Sequence, residues 1–151
     1  MNTTEKFRIA DPLLENLDKG YYELRWRVLR QPWGQPRGTE RDEQEENALH
    51  RAVVTTEGEV ISCGRLQFLS RDEAQIRYMA VHPDFRGKGL GKMVLSELET
   101  LAYDAGMERL ILQARDNAVP FYQRAGYRIL QPTFLLYDVI QHFLMEKKRS
   151  H

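Results

Sequence analysis

The pattern of hydrophobic and polar positions begins with one helical stripe. Apolar residues at spacings of three and four predict a first helix that follows Asp11 and Pro12 and ends before Pro32. Asp11 is suited to cap this helix and Pro12 to stand in its first turn, whereas Gly20 weakens the helix or splits it. The stripe consists of Leu14, Leu17, Tyr21, Leu24 and Val28.

A segment without a clear period separates this helix from three strand-like runs. Residues 31–47 contain two prolines, two glycines and many charges, and they predict a long surface loop with at most a short helix. The runs at 49–56, 60–69 and 74–82 are joined by short polar turns. Three consecutive strands so closely spaced predict an antiparallel meander.

The second half of the chain alternates helix and strand. An amphipathic helix begins near Gly89 and ends at Gly106, and Asn117 is placed to cap a second, short helix that ends at Gly126. We predict a single domain over residues 1–151, a mixed sheet with helices on its faces. Short strands are expected at 110–112, at 127–130 and within 142–147.

Composition and charge restrict the class of protein. With 151 residues and 42% hydrophobic residues, the chain can fill one core. Lysine plus arginine and aspartate plus glutamate number 22 each, so no overall field would hold nucleic acid or an anionic membrane. No signal core or membrane-spanning stretch is present, which predicts a soluble cytoplasmic protein. Cys63, the only cysteine, excludes a disulfide, and we interpret it as a buried small hydrophobe rather than a nucleophile.

The glycine-rich segment 86–91, Arg-Gly-Lys-Gly-Leu-Gly, stands between a strand and an amphipathic helix. Glycines allow positive φ and leave the backbone open, so that successive N–H groups can converge on phosphate oxygens. A helix that starts at such a turn adds unpaired donors and the positive end of its dipole. Arg86, Lys88 and Lys92 would add positive charge, so the segment predicts an anion site.

The glycine spacing distinguishes this segment from two better-known phosphate loops. A P-loop needs four residues between its first glycine and Gly-Lys, but three separate Gly87 from Gly91, and Met93 stands where Ser or Thr is required. A dinucleotide fingerprint has glycines at positions one, three and six, whereas Gly87, Gly89 and Gly91 fall at one, three and five. Binding of ATP or a dinucleotide is therefore disfavoured.

The segment 86–91 matches the pyrophosphate motif of the GNAT superfamily: Arg or Gln, two residues, Gly, one residue, Gly or Ala. The preceding residues 79–83, Met-Ala-Val-His-Pro, resemble the family's fourth strand. Residues 117–127, Asn-Ala-Val-Pro-Phe-Tyr-Gln-Arg-Ala-Gly-Tyr, resemble its second motif. Two motifs at the expected separation are far more specific than either one. The resemblance covers 60–147 well, and residues 1–49 only in their general pattern.

The resemblance implies a GNAT-like α+β fold: a mostly antiparallel six- to seven-stranded sheet flanked by helices, with splayed central strands. It implies an N-acetyltransferase that moves the acetyl group of acetyl-CoA to a primary amine of a small molecule or peptide, by direct attack in a ternary complex and without a metal. The alternative from a different class is a non-catalytic acyl-CoA-binding or sensor domain with the same fold.

The resemblance also implies the residues that hold the cofactor. In the family, the fourth strand binds the pantetheine arm and the glycine-rich turn binds the pyrophosphate, while an N–H near Val81 could stabilise the oxyanion. The implied cofactor-binding residues are Met79, Ala80, Val81, Arg86, Gly87, Lys88, Gly89, Leu90, Gly91, Lys92, Asn117, Phe121 and Tyr122.

Two residues are candidates for proton transfer. Tyr122 occupies the motif position of an acid that protonates the leaving thiolate, and the alternative is a ring that only packs under its helix. His142 lies in a segment, 139–145, that resembles a small bacterial branch of the superfamily with a histidine there, and a near-neutral pKa would suit a base. The alternative is a strand-edge histidine with a satisfied hydrogen bond. We interpret His82 as a turn residue before Pro83.

The sequence indicates least about which residues bind the acceptor amine. The acidic run 40–46 could attract a cationic acceptor, but we favour a solvated face. Trp26 and Trp33 could line an acceptor pocket, and core packing explains Trp26 equally well. We expect no nucleic-acid partner. A homodimer could form through an unpaired last strand or an exposed sheet face.

Overall fold

The computed structural model describes residues 6–150, which form three α-helices and seven β-strands. The helices are α1 (Asp18–Leu29), α2 (Leu90–Asp104) and α3 (Val119–Arg124). The strands are β1 (Phe7–Ala10), β2 (Leu49–Thr55), β3 (Val60–Phe68), β4 (Glu73–Val81), β5 (Arg109–Arg115), β6 (Arg128–Leu136) and β7 (Ile140–Lys148).

The strands form one mixed, mostly antiparallel sheet in the order β1-β2-β3-β4-β5-β7-β6. The pair β4–β5 is parallel and runs from Glu73 opposite Arg109 to Ile76 opposite Leu112. The antiparallel pair β5–β7 extends farther along β5, to Arg115 opposite His142. The meander and the mixed sheet predicted from the sequence are confirmed.

Backbone contacts divide the chain into two compact units. The first comprises the residues up to Arg65 together with Tyr78–Leu98, and the second comprises Leu66–Arg77 and the residues from Glu99 onward. Both β3 and β4 therefore contribute to each unit. The two units are described separately below.

The core of the first unit lies between α1 and the strands β1 to β4. A cluster of buried side chains from these elements includes Tyr21 and Leu24 of α1, Val54 of β2 and Cys63 of β3. On the other face of β3, the Ser62 hydroxyl donates to the carbonyl of Leu90 at 3.2 Å. Because β3 is covered on both faces, all of its residues from 60 to 66 are buried.

The second unit is organised around β5, β7 and β6. Inward and outward residues alternate along β5, so that Leu110, Leu112 and Ala114 are buried. Three residues, 137–139, join β6 to β7, and the first two, Tyr137 and Asp138, have positive φ, at +53° and +60°. This combination is typical of a type I′ hairpin turn.

The beginning of the chain differs from the prediction in two ways. Residues Phe7–Ala10 form an edge strand that pairs with β2 and that the sequence pattern did not indicate. The first helix begins at Asp18, because Asp11 Oδ1 accepts hydrogen bonds from the amides of Leu13 and Leu14 and closes a separate turn. Asn16 then takes φ +58°, which a right-handed helix does not allow. The helix runs through Gly20 without a break.

Four further boundaries need correction. Asn117 does not cap α3, because a 3-10 turn at Asp116–Ala118 precedes the helix and Ala118 holds the N-cap position without a side-chain bond. β6 is longer than predicted, since its mostly exposed side chains give no hydrophobic alternation and two irregularities interrupt its register with β7. β5 and β7 likewise extend beyond their predicted ranges at both ends.

Candidate active site

The turn between β4 and α2 starts with a histidine cap. His82 Nδ1 accepts a hydrogen bond from the amide of Asp84 at 3.1 Å and closes the short 3-10 turn Pro83–Phe85. The amide of His82 donates to the carbonyl of Ile61 at 2.8 Å. His82 thus has the role of a turn residue, as the sequence predicted.

The two glycines after this turn are required by the backbone. Gly87 has φ +80° and Gly89 has φ +76°, a region that side chains with a Cβ rarely adopt. A Cβ added to either residue would meet nothing within 4 Å. Packing therefore does not explain these glycines, and their Cα atoms leave an open approach to the backbone.

Helix α2 begins where this open backbone ends. The amide of Met93 donates to the carbonyl of Gly89 at 3.0 Å, so Gly89 accepts the first bond of the helix. The amides of Leu90, Gly91 and Lys92 consequently have no acceptor inside the helix. The dipole of this 15-residue helix adds partial positive charge at the same place.

Three cationic side chains surround these amides. Arg86, Lys88 and Lys92 are all exposed, and the ammonium group of Lys88 lies 5.8 Å from the centroid of the Phe85 ring. Open backbone, unpaired amides and exposed cations are the features that bind phosphate groups at helix starts. The residues present therefore fit the pyrophosphate of a CoA-type ligand.

The strand before the turn carries a backbone irregularity. Tyr78 has φ +58° in the middle of β4, followed by Met79 and Val81, which are half-buried, and by Ala80, which is buried. The Cys63 thiol donates to the Tyr78 carbonyl at 3.7 Å. Burial raises the pKa of this thiol to about 12, so Cys63 is a buried hydrophobic residue, as predicted, and not a thiolate nucleophile.

In the second unit, Tyr122 is buried in the short helix α3, while Phe121 is half-buried and Asn117 is exposed. The Tyr122 ring makes edge contacts with the rings of Phe121, at 5.0 Å, and Tyr127, at 5.8 Å. Burial raises the pKa of Tyr122 above that of an exposed phenol, so its hydroxyl keeps its proton at neutral pH.

The neighbour of Tyr122 is fixed by an ion pair. The Tyr127 hydroxyl donates to Glu99 Oε2 at 2.8 Å, and Lys147 Nζ donates to the same oxygen at 3.2 Å. Burial, followed by the charge of Glu99, raises the pKa of Tyr127. Tyr127 is therefore an anchored, protonated side chain against which the Tyr122 ring packs.

His142 is buried inside β7, opposite Arg115 of β5. Its Nδ1 lies 3.1 Å from the carbonyl oxygen of Ile140, and its ring stacks on Phe134 with centroids 4.5 Å apart. Because a carbonyl oxygen can only accept, Nδ1 carries the hydrogen in this contact. In the neutral ring, Nε2 is then the nitrogen that can take up a proton.

The acidic run at 40–46 is not simply a solvated face, contrary to the interpretation we favoured. Glu40 is buried, and Asp42 and Glu45 pair with two arginines whose side chains are completely buried. Glu45 bridges them, with Oε1 2.8 Å from Arg25 Nη1 and Oε2 2.6 Å from Arg65 Nη1. These carboxylates neutralise buried cations, which the charge pattern alone did not reveal.

A buried histidine extends this group of polar side chains. Tyr21 donates its hydroxyl hydrogen to His50 Nδ1 at 2.6 Å, and His50 Nε2 donates to the Glu45 carbonyl at 2.7 Å. Arg25 Nη2 donates to the Tyr21 oxygen at 2.5 Å. Burial, with the nearby positive charges of Arg25 and Arg65, lowers the pKa of His50.

Sequence reasoning missed Arg25, Arg65 and Tyr78 as members of a site. A signal was present, since Arg25 stands on the buried side of α1 and Arg65 lies within the apolar run of β3. A lone arginine in a buried pattern indicates a partner of opposite charge.

The loop at 31–47 contains two 3-10 turns, Gln31–Trp33 and Glu45–Asn47, and agrees with the predicted long loop. The Trp26 indole donates to the Gln35 carbonyl at 3.0 Å, and the Arg37 guanidinium lies 3.8 Å from the centre of the Trp26 ring. Trp33 is 38% exposed. Trp26 therefore anchors the loop, whereas Trp33 remains accessible.

Comparison with known proteins identifies the family. The model of the acetyltransferase (GNAT) family matches residues 19–127, which include both sequence motifs and extend farther toward the N-terminus than the resemblance did. The chain belongs to the GNAT acetyltransferase family. It is thus an N-acetyltransferase of a family that uses acyl-CoA and acetylates amine acceptors. The GNAT match ends before His142.

One relative and two solved structures illustrate the GNAT membership. An uncharacterized N-acetyltransferase of Bacillus subtilis, YjcF, is 31% identical over 134 residues, covering 88% of this chain and 93% of the relative. The ribosomal-protein-S18-alanine N-acetyltransferase of Escherichia coli shares the fold, with a TM-score of 0.77, 22% identity and coverage of 97% and 96%. The PaiA N-acetyltransferase of Thermoplasma acidophilum in complex with coenzyme A has a TM-score of 0.74 and 16% sequence identity. The match covers 95% of this chain and 99% of that chain.

Two features are absent from residues 6–150. None of the helices in this range combines the length and the apolar character needed to cross a membrane. Within the same range, no three or more histidine, cysteine, aspartate or glutamate residues are grouped so that they could hold a metal ion.

Proposed function

We propose that this GNAT enzyme transfers the acetyl group of acetyl-CoA directly to a primary amine of a small molecule or peptide, within a ternary complex. The observation that carries the proposal is the open turn of Gly87 and Gly89 in front of the unpaired amides of α2. The coenzyme A in the Thermoplasma structure and the protein acceptor named for the Escherichia coli enzyme support this choice of donor and acceptor class.

The donor side of the proposal lies in the first unit. The amides of residues 87–92 would bind the pyrophosphate, with Arg86, Lys88 and Lys92 supplying charge. The backbone of residues 79–81 would bind the pantetheine arm by strand-like hydrogen bonds, and an N–H near Val81 would stabilise the oxyanion. The acceptor amine would lie against α1 and the loop at 31–47, where Trp33 is accessible.

Tyr122 is the proposed acid, and Asn117 and Phe121 are proposed cofactor contacts. Acetyl-CoA supplies an activated thioester carbonyl whose leaving group is a thiolate. The Tyr122 hydroxyl would give its proton to that sulfur. The raised pKa of Tyr122 keeps the proton available at neutral pH but also makes its release harder, so the transfer requires hydrogen-bond contact with the sulfur.

His142 is the proposed base. With Nδ1–H directed at the Ile140 carbonyl, Nε2 is the atom that would take the proton of the amine, directly or through a water molecule.

The proposal is tested by calorimetric titration with acetyl-CoA and CoA, using ATP and NAD as comparators. Gly89→Glu places a carboxylate at the proposed phosphate site and should abolish binding. Gly106→Glu is the matched control, because Gly106 also has positive φ, +91°, with nothing within 4 Å of an added Cβ. A folded wild-type protein that binds no CoA, or a Gly89→Glu variant that binds normally, would contradict the donor site.

The catalytic assignment needs a separate measurement. Tyr122→Phe should lower kcat by about 10²-fold or more, the usual contribution of a positioned acid, while the Kd for acetyl-CoA stays nearly constant. Initial rates measured while both substrate concentrations are varied should give intersecting lines in a double-reciprocal plot, because both substrates are bound together in the ternary complex. An unchanged kcat would remove the acid role. Tight CoA binding without turnover on a broad panel of amines would favour the non-catalytic acyl-CoA-binding alternative.

A further inference from the structure

A cage of charged side chains surrounds Tyr78, the residue with positive φ in β4. The guanidinium carbons of Arg25 and Arg65 lie 4.3 and 4.8 Å from the centre of the Tyr78 ring. The Tyr78 hydroxyl lies 3.4 Å from Asp42 Oδ2. All of these residues belong to the first unit.

The arginines of the cage are held in place from the loop at 31–47. Asp42 binds Arg65 through both carboxylate oxygens, at 2.6 and 3.0 Å, and Glu45 bridges Arg65 and Arg25. Neither arginine side chain is exposed, whereas Asp42 and Glu45 are 17% and 13% exposed. The loop therefore provides the negative charges that keep two buried cations stacked on one tyrosine.

The backbone of Tyr78 requires such support. A bulky residue other than glycine rarely adopts the left-handed conformation, and it does so only when its surroundings hold it there. The strand residues that follow immediately, 79–81, are the proposed binding site of the pantetheine arm. The φ of Tyr78 sets the direction in which their amides and carbonyls point.

We infer that Asp42, Arg25 and Arg65 are positioning residues that hold Tyr78 in its left-handed conformation and thereby connect the loop at 31–47 to the strand that binds acyl-CoA. The inference rests on the proposed function in so far as residues 79–81 bind the cofactor. Its structural half, the control of the conformation of residues 79–81 by Asp42, is independent of any ligand. In some other proteins, buried ion pairs select one conformation without adding to the overall stability.

The test compares Asp42→Asn with Glu23→Gln in the full chain. Glu23 is a matched control, since its carboxylate also pairs with an arginine. That arginine, Arg37, belongs to the same loop, but both side chains of the pair are exposed. Asp42→Asn should raise the Kd for CoA about tenfold, and Glu23→Gln should change it less than about twofold, as expected for a residue inside and a residue outside a coupled network. An unchanged Kd in a folded Asp42→Asn protein would overturn the inference.

Combining Asp42→Asn with a glycine at residue 78 distinguishes the positioning of Tyr78 from a general loss of stability. In Tyr78→Gly, residue 78 adopts positive φ without support, so Asp42→Asn should then change the Kd for CoA less than about twofold. Tyr78→Asn is a second background, because asparagine also tolerates this conformation. A persistent tenfold effect of Asp42→Asn in both backgrounds would show that Asp42 does not act through Tyr78.

Amide hydrogen exchange provides a readout that needs no ligand. Asp42→Asn should speed the exchange of residues 79–81, and Glu23→Gln should not. If the wild-type protein binds no CoA, the proposed function fails, but the exchange rates still decide whether the cage controls this segment. Equal protection of residues 79–81 in Asp42→Asn and in the wild type would refute the positioning role.

Discussion

At the scale of single residues, Gly64 allows the closest approach between β3 and its neighbours. A Cβ at this position would meet Met79 Sδ at 2.5 Å and Leu98 Cδ1 at 2.9 Å. Both distances are shorter than ordinary packing permits, so a side chain at residue 64 would force the side chains of Met79 and Leu98 to shift. Gly20 in α1 is different, because its added Cβ would meet Val60 Cγ2 at 3.4 Å, an ordinary contact.

This difference gives a paired prediction. Gly64→Ala should lower the free energy of unfolding by about 1–3 kcal/mol, as overpacking does. Gly20→Ala should leave it unchanged or raise it by up to about 1 kcal/mol, because alanine favours the helix. Urea unfolding followed by circular dichroism measures both. Equal midpoints for the two variants would show that the side chains around residue 64 rearrange without cost.

His50 gives the stability a pH dependence. Burial is the main cause that lowers the pKa of His50 in the folded protein. In the unfolded chain a histidine titrates at about pH 6.5, so near this pH the folded protein binds fewer protons than the unfolded chain. The free energy of unfolding should therefore decrease as the pH falls through and below that value, and the contribution of His50 should be fully restored above it. His50→Gln should flatten this decrease in denaturation measured from pH 5 to 8. His82→Asn, which keeps a cap at an exposed turn, should retain the slope.

At the scale of elements, the loop at 31–47 is an ordered part of the first unit. Glu45 connects it to α1 through Arg25 and to β3 through Arg65, and its backbone carbonyl accepts from His50 of β2. One residue therefore fastens the loop to three elements. A lid that moves freely would not show such buried anchors.

Removal of this anchor should be costly. Glu45→Gln leaves two buried guanidiniums short of one carboxylate and should lower the free energy of unfolding by about 3 kcal/mol, the order measured when one partner of a buried pair is lost. Glu23→Gln removes an exposed pair and should cost less than about 1 kcal/mol. Denaturant unfolding of both variants measures the difference. Similar losses would mean that solvent reaches Arg25 and Arg65 and replaces the missing charge.

At the scale of the whole molecule, balanced charge means that only local groups can attract an anion to the proposed donor site. The 22 basic and 22 acidic residues cancel, so attraction of an anionic donor depends on the amides of α2 and on the exposed cations at 86, 88 and 92. The edge strand β6 exposes Ile129, Phe134 and Leu135. The last strand, β7, pairs with both β5 and β6, so the expectation of an unpaired last strand is wrong. The homodimer itself stays a prediction.

Binding of acetyl-CoA at the proposed donor site should raise the free energy of unfolding. Acetyl-CoA at a hundred times its Kd should stabilise the folded protein by about 2.7 kcal/mol, because it binds the folded chain only. Thermal unfolding with and without the ligand measures this change. Gly89→Glu should show no shift and Gly106→Glu should show the full one. A shift of equal size in both variants would place the ligand elsewhere.

Local chemistry determined what could be predicted. Strands β2 to β4 and helix α2 have strong hydrophobic periodicity, and their boundaries agree with the structure to within two residues. The turn of Gly87 and Gly89 could also be read directly, because its backbone conformation depends on residues adjacent in sequence. The family followed from two such local motifs.

Only the tertiary structure decided the rest. A carboxylate in a charged loop looks the same whether it faces water or a buried arginine, and the partners of Glu45 lie 20 residues away in the chain on both sides. The late start of α1 and the exposed length of β6 depend on a backbone turn and on strand pairing, which leave no hydrophobic period. The sequence by itself determined strands β2 to β4, helix α2 and the glycine-rich turn because their causes are local, whereas long-range pairing of charges and strands placed Tyr78 in its cage.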